Sequence, residues 1–173
     1  MNYLVPERLE SERLYLRQFE EADWRDLHLY YSDEEAVTFT QGRALSEGET
    51  WRVMCSMIGH WQIRGYGPYA LEEKGSSRVL GTVGLWYPND WPEPEIKWGL
   101  ARDCWGRGFA SEAARQVLTS VAAHLPDFRP VSMIHDDNST SIALALALGA
   151  QRERSIEYED EPHGIYRHRR YGD

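Results

Sequence analysis

The chain has 173 residues, 42% of them hydrophobic and 27% charged, and a formal net charge of −9. That length suits a single domain, residues 1–173 with a folded part of about 10–170, and the acidic balance disfavours nucleic acid as a partner. No apolar run approaches the ~20 residues of a membrane span, and two cysteines, Cys55 and Cys104, provide no disulfide framework and fit a reducing compartment.

The opening "MNYLVPERLESERL" lacks the basic start and apolar stretch of a signal peptide, so a cytoplasmic protein is expected. "RLYLRQF" (residues 13–19) alternates and predicts a strand. In "EEADWRDLHLYYSD", Trp24, Leu27 and Tyr31 fall at helical spacing. A second helix starts at Ser46, with Glu49 three residues on as a capping box, and carries a stripe of Trp51, Met54, Ile58 and Trp61. Gly65 and Gly67 end it. "YALEEK" and "RVLGTVGLWY" predict a hairpin closed by "GSS". The proline-rich "PNDWPEP" is a loop, and "EIKWGLAR" is strand-like. The helix in "RGFASEAARQVLTSVAAHL" aligns Phe109, Ala113, Val117 and Val121 on one face.

"PVSMIHDD" is another strand, and "NSTSIALALALGA" poses a conflict. Ile142, Leu144, Leu146 and Leu148 alternate like a strand, but Ala and Leu are strong helix formers, Asn138 is a good N-cap and Gly149 a good terminator. A helix is expected, buried on both sides because its leucines face both ways. Two more strands, around residues 151–158 and 164–170, finish the chain, with Arg167, Arg169 and Arg170 on the polar side of an edge strand. The order β, α, α, β, β, β, α, β, α, β, β predicts an α/β fold, a mixed sheet with helices on both faces.

Chemistry concentrates where "EIKWGLAR" runs into "DCWGRGFASEA": strand, glycine loop, helix start. Amides at a helix N-terminus have no partner within the helix, the peptide dipoles add positive charge there, and glycines let an anion approach. This pattern suits a phosphate site or a plain tight turn. A P-loop is excluded because Phe109 and Ala110, not Lys and Ser or Thr, follow Gly108, and a dinucleotide fingerprint is disfavoured because Ser111 stands where its third glycine belongs.

"WGLARDCWGRGFASEAARQVL", followed after a strand by "HDDNSTSIALALALGA", resembles the GNAT acetyltransferase superfamily, and the opening "SERLYLRQFEEADWRDL" resembles its ribosomal-protein-alanine acetyltransferase-like branch. The family loop Gln/Arg-x-x-Gly-x-Gly/Ala is matched at Gly108, Phe109 and Ala110, with Trp105 in place of its first polar residue. The family's second block is matched at Asn138, Ser141, Leu148 and Gly149. The resemblance implies a mostly antiparallel sheet splayed between two central strands. It also implies transfer of an acetyl group from acetyl-CoA to a primary amine by direct attack in a ternary complex, without a metal, in a monomer or homodimer. On this resemblance, main-chain groups of Trp98 and Leu100 pair with the pantetheine arm, freed by a β-bulge at Gly99. Amides of Arg107, Gly108, Phe109 and Ala110 hold the pyrophosphate, and Asn138 contacts pantetheine. Ser141 is expected beside the cofactor too, as the nearest hydroxyl for the leaving thiolate, since no tyrosine lies between residues 131 and 149. Glu95, in a Glu-Ile-x-Trp context, and His135 are the candidate bases. An α-amine, with a pKa near 8, needs less help than a lysine near 10.4. A CoA-binding module of the same fold without catalysis is the alternative.

Other residues carry plainer expectations. Asp136 and Asp137 shape the turn into Asn138. Cys104 beside Asp103 is a poor nucleophile, since the carboxylate raises the thiol pKa. The histidines show no zinc spacing. The early aromatic residues Trp24, Tyr30, Tyr31, Trp51, Trp61 and Tyr66 are mostly core, in helices that the resemblance places along the acceptor cleft, and the acids of "EYEDEPHG" suit a cationic acceptor or a solvated turn equally.

Overall fold

A computed structural model describes residues 3–169. Its eight strands are β1 (Arg8–Glu10), β2 (Leu14–Arg17), β3 (Pro68–Glu73), β4 (Val79–Trp86), β5 (Glu95–Leu100), β6 (Val131–His135), β7 (Gln151–Tyr158) and β8 (Glu161–Arg167). Its helices are α1 (Trp24–Tyr31), the single turn α2 (Glu34–Val37), α3 (Glu47–Arg64), α4 (Phe109–His124) and α5 (Ser139–Ala147). The strands form one sheet in the order β1-β2-β3-β4-β5-β6-β8-β7. Every pairing is antiparallel except β5 with β6. That parallel pairing holds at a single register position, Glu95 opposite Val131, beyond which the sheet is open at its centre.

Local chemistry explains the helix bounds. Ser46 Oγ accepts the Glu49 N–H while Glu49 reaches back to the Ser46 N–H, so α3 starts on the expected capping box. Gly65, at φ +74°, stops it. Phe109, Ala113, Val117 and Val121 of α4 join Leu14, Leu16, Val83 and Ile96 in one apolar cluster. Leu27, Tyr30 and Tyr31 of α1 join Met54 and Met57 of α3 in a second, with Ala70 and Val79 of the sheet. Strand β5 serves both faces by alternation: Ile96 and Leu100 belong to the first cluster, and Glu95, Lys97 and Gly99 turn the other way.

Several expectations need correction. The strip β1 and the turn α2 were not anticipated, being too short to show a period. The stripe of α3 runs through Thr50, Met54, Met57 and Trp61, while Trp51 is about half exposed and Ile58 only partly buried. Helix α5 is buried on one side only, since Leu146 is exposed while Ala145 is fully buried. Strand β8 is not an edge, for β7 pairs outside it, and Arg167 instead reaches Glu93 and Glu153. Arg170 lies outside the described residues. Gly99 makes no bulge: it sits in register opposite Thr82, and the irregularities fall at Leu71/Glu72 and Arg152/Arg154. Its glycine is required for another reason, because a Cβ there would lie 2.5 Å from the Tyr30 ring.

Candidate active site

The opening between β5 and β6 leads into a cavity of about 500 Å³. Among its walls are Glu95, Trp98, His135, Asn138 and Ser141. Leu100, Arg107, Gly108, Phe109 and Ala110 stand apart from it, at the far end of β5 and the start of α4.

The main chain of β5 explains how one strand can serve a ligand. Ala101 N–H donates to the Leu80 carbonyl at 2.9 Å, so alternate residues Gly99, Lys97 and Glu95 direct their amide groups to β4. Ile96, Trp98 and Leu100 therefore direct theirs to the open side. There Ser132 Oγ donates to the Ile96 carbonyl and Trp105 Nε1 to the Leu100 carbonyl, each at 2.9 Å. Leu100 thus keeps only its N–H for a ligand, and Trp98 keeps both groups. The indole that closes the Leu100 carbonyl belongs to the residue that departs from the family loop.

At the loop, Gly106 and Gly108 take φ +71° and +78°, and nothing lies within 4 Å of where a Cβ would sit on Gly106. Gly108 is the N-cap of α4, and no side chain caps that helix. Among the described residues, the N–H groups of Arg107, Gly108, Phe109 and Ala110 donate to no protein atom, the first bond into the helix being Glu112 N–H to the Gly108 carbonyl. This is the arrangement an anionic group would fill. The Phe109 ring is buried, with the Arg13 and Arg107 guanidiniums each 4.5 Å from its centroid, so Phe109 contributes only main chain to the loop surface.

Arg13 was not anticipated. Its N–H and Nε donate to the two Glu112 oxygens at 2.8 and 2.7 Å, and its Nη1 donates to the Arg107 carbonyl at 2.9 Å. Ser11 Oγ adds a bond to Glu112 at 2.7 Å. The β1–β2 turn therefore fastens the glycine loop from outside, across about a hundred residues of sequence that no local pattern spans.

Glu95 is 5% exposed, and one of its oxygens accepts the Met133 N–H at 3.2 Å. Burial pushes its carboxyl up to about 7, against the opposing charge of Lys97 and the Met133 bond. His135 has a different character. Its Nδ1 accepts the Asp137 N–H at 3.1 Å, so the neutral ring carries its proton on Nε2, facing Glu161 at 3.5 Å. In that form it presents a donor rather than a lone pair at Nε2. Asn138 Oδ1 caps α5 through the Ser141 N–H at 3.1 Å. Ser141 Oγ accepts the Trp98 indole N–H at 3.2 Å and bonds no backbone group, so its own hydroxyl proton is uncommitted. That second use of Trp98, through its side chain, was not legible in the sequence. Cys104 is buried, and its thiol is pushed up to about 11 by burial and by Asp103.

A family model described as an acetyltransferase (GNAT) domain matches residues 13–151. The uncharacterized N-acetyltransferase p20 of Bacillus licheniformis is 30% identical over 156 residues, 88% of each chain. An acetyltransferase structure from Agrobacterium tumefaciens superposes with a TM-score of 0.84 at 26% identity, over 95% of each chain. The ribosomal L7/L12 α-N-protein acetyltransferase in complex with coenzyme A shares the fold at a TM-score of 0.77 and 21% identity, covering 98% of this chain and 99% of that one. With a splayed mixed sheet, an uncapped glycine loop and these matches together, the chain belongs to the GNAT family of acetyltransferases.

Proposed function

We propose that the protein is an acetyl-CoA-dependent N-acetyltransferase acting on a primary amine in a ternary complex. The observation that carries this is the run of uncommitted amides, from Arg107 to Ala110, at the head of α4, with the free edge of β5 running between that loop and the cavity holding Glu95 and Ser141. Bound acetyl-CoA would supply an acetyl group activated as a thioester. The four loop amides and the α4 dipole would take the diphosphate charge, with Arg107 and Arg13 alongside. Trp98 N–H and C=O, and the Leu100 N–H, would hold the extended arm as a strand partner does. Asn138 would donate from its amide nitrogen. Glu95, ionised, would accept the proton shed by the amine nitrogen as the C–N bond forms and the C–S bond breaks. Ser141, with its oxygen fixed by Trp98, would donate a hydrogen bond to the departing thiolate, which takes its proton from solvent.

The coenzyme A complex of the structurally similar ribosomal L7/L12 acetyltransferase supports coenzyme A as the ligand class. A thermal-shift comparison of acetyl-CoA, CoA, NAD and ATP tests it. At 100 times its dissociation constant a ligand adds about 2.7 kcal/mol, so acetyl-CoA and CoA should raise the melting temperature by several degrees while NAD leaves it unmoved. Thiol release on adding a panel of amines separates an enzyme from a binding module. Stabilisation by NAD alone would overturn the assignment.

A further inference from the structure

Among the described residues that line the cavity, Lys97 is the one lysine or arginine. It leaves β5 on the same face as Glu95, two residues away, or about 7 Å along the strand. Its ammonium lies 4.9 Å from the centroid of the Trp86 ring. Among the described residues it makes no hydrogen bond and has no carboxylate within 4.0 Å. Burial works against its charge, and Glu95 sustains it. Glu95 is itself held up to about 7, so at neutral pH that support is partial. The cavity's other acids, Asp90 and Glu159, belong to the β4–β5 loop and the β7–β8 turn.

A half-buried ammonium on the cavity wall, with only an aromatic face for a partner among the described residues, is incompletely satisfied, and a ligand anion would complete it. A polyamine or an aminoglycoside brings further positive charge to that wall. A protein N-terminus brings a neutral amide where the anion is wanted. We infer that the acceptor is a free α-amino acid, its amine at Glu95 and its carboxylate on Lys97, with Trp86, Trp91, Phe39 and Tyr158 around its side chain. Two charged groups separated by one carbon suit two wall residues separated by one strand position, and the aromatic surroundings suit an apolar or aromatic side chain. This inference rests on the transferase assignment above and narrows its substrate.

The test compares L-phenylalanine, L-phenylalaninamide, phenethylamine, a tripeptide and spermidine as acceptors, read by thiol release, with acetyl-CoA binding measured separately by thermal shift. The free acid should exceed its amide in kcat/KM by about tenfold, the worth of one charge-assisted hydrogen bond. The amide's amine is the less basic of the two, so protonation cannot produce that preference. Lys97→Met should bring the acid-to-amide ratio close to one, and Lys97→Arg should retain part of it. An amide, tripeptide or spermidine used as well as the acid by the wild-type protein overturns the inference, without needing any variant to fold. So does an unchanged ratio in Lys97→Met, or the absence of thiol release from the acid while acetyl-CoA binds. If acetyl-CoA itself fails to bind, the transferase assignment falls first.

Discussion

As the proposed base, Glu95 would set stability and turnover against each other. Its folded pKa of about 7 lies above the ordinary 4.5, so between those values the folded chain holds a proton that the unfolded chain has lost. The resulting stability is fully present below about pH 4.5 and is lost as pH rises through 7. The shift corresponds to about 3 kcal/mol as an upper bound. A base must be ionised, so kcat/KM, once corrected for the acceptor amine's own titration, should climb over the same interval and level off above it. Glu95→Gln should cut turnover by about 10²- to 10⁴-fold and abolish the climb. It should also raise the melting temperature at pH 8 more than at pH 5, by less than the full shift because Lys97 loses its counter-charge. Turnover that survives the substitution with its pH profile intact would remove Glu95 from the base role. Gly99, on the same face, shows what a sequence can say of a glycine. It was expected to bend the strand, and the need for glycine is real, but the cause is the Tyr30 ring, held by a 3.0 Å bond to Thr40. Gly99→Ala should therefore cost about 1–3 kcal/mol in a denaturation experiment through overpacking. A neutral outcome would mean that Tyr30 can move aside. A residue type signals that space or φ is constrained, and only the packed neighbours say which.

At the scale of elements, the loop before α4 is held by a different part of the chain. Arg13 bonds the Arg107 carbonyl and both oxygens of Glu112, and its guanidinium lies over Phe109. Arg13→Ala should leave the fold intact, since Arg13 is an exposed side chain, while releasing the loop. The expected signature is a rise of about three- to tenfold in the KM for acetyl-CoA with kcat nearly constant, because positioning for binding is lost rather than chemistry. A fall in kcat at unchanged KM would contradict it. Helices and strands with a clear period, such as α3, α4 and β4, were legible because each pattern is repeated within the element. The one-sided burial of α5 was not, because Ala and Leu are both apolar and alternate without marking a wet face. Exposed Leu146 beside buried Ala145 is decided by what packs there, chiefly Ile134, Ala150 and Tyr166. The glycine loop was legible as a potential anion site from its residues alone, whereas its tether to Arg13 was not, being a contact between segments 94 residues apart.

For the whole molecule, the sheet is two ladders that meet at one register pair. The larger holds β1 to β5, and the smaller holds β6, β8 and β7. Few bonds cross the seam: the Val131 N–H to the Pro94 carbonyl, the Met133 N–H to Glu95, Ser132 Oγ to the Ile96 carbonyl, the Trp98 indole to Ser141, and the Glu93 carboxylate to Arg154 and Arg167. Behind it His168 is fully buried, bonded to Ser132 through Nε2 at 3.0 Å, and burial depresses its pKa to about 4. A ligand lying along Trp98 on one side and Asn138 on the other would add main-chain and side-chain bonds across this seam. Stability gained that way is local before it is global. Amide hydrogen exchange should therefore slow on adding saturating acetyl-CoA in β6 and β8, whose opening parts the two ladders, by up to about a hundredfold when ligand stands at 100 times its dissociation constant. Strands β2 and β3, paired on both sides by uninterrupted or nearly uninterrupted antiparallel ladders, should change far less. Equal slowing in every strand would mean that exchange proceeds only through global unfolding. Slowing confined to the start of α4 would mean that the loop binds its anion while the seam stays open, and the coenzyme arm would then not lie between Trp98 and Asn138.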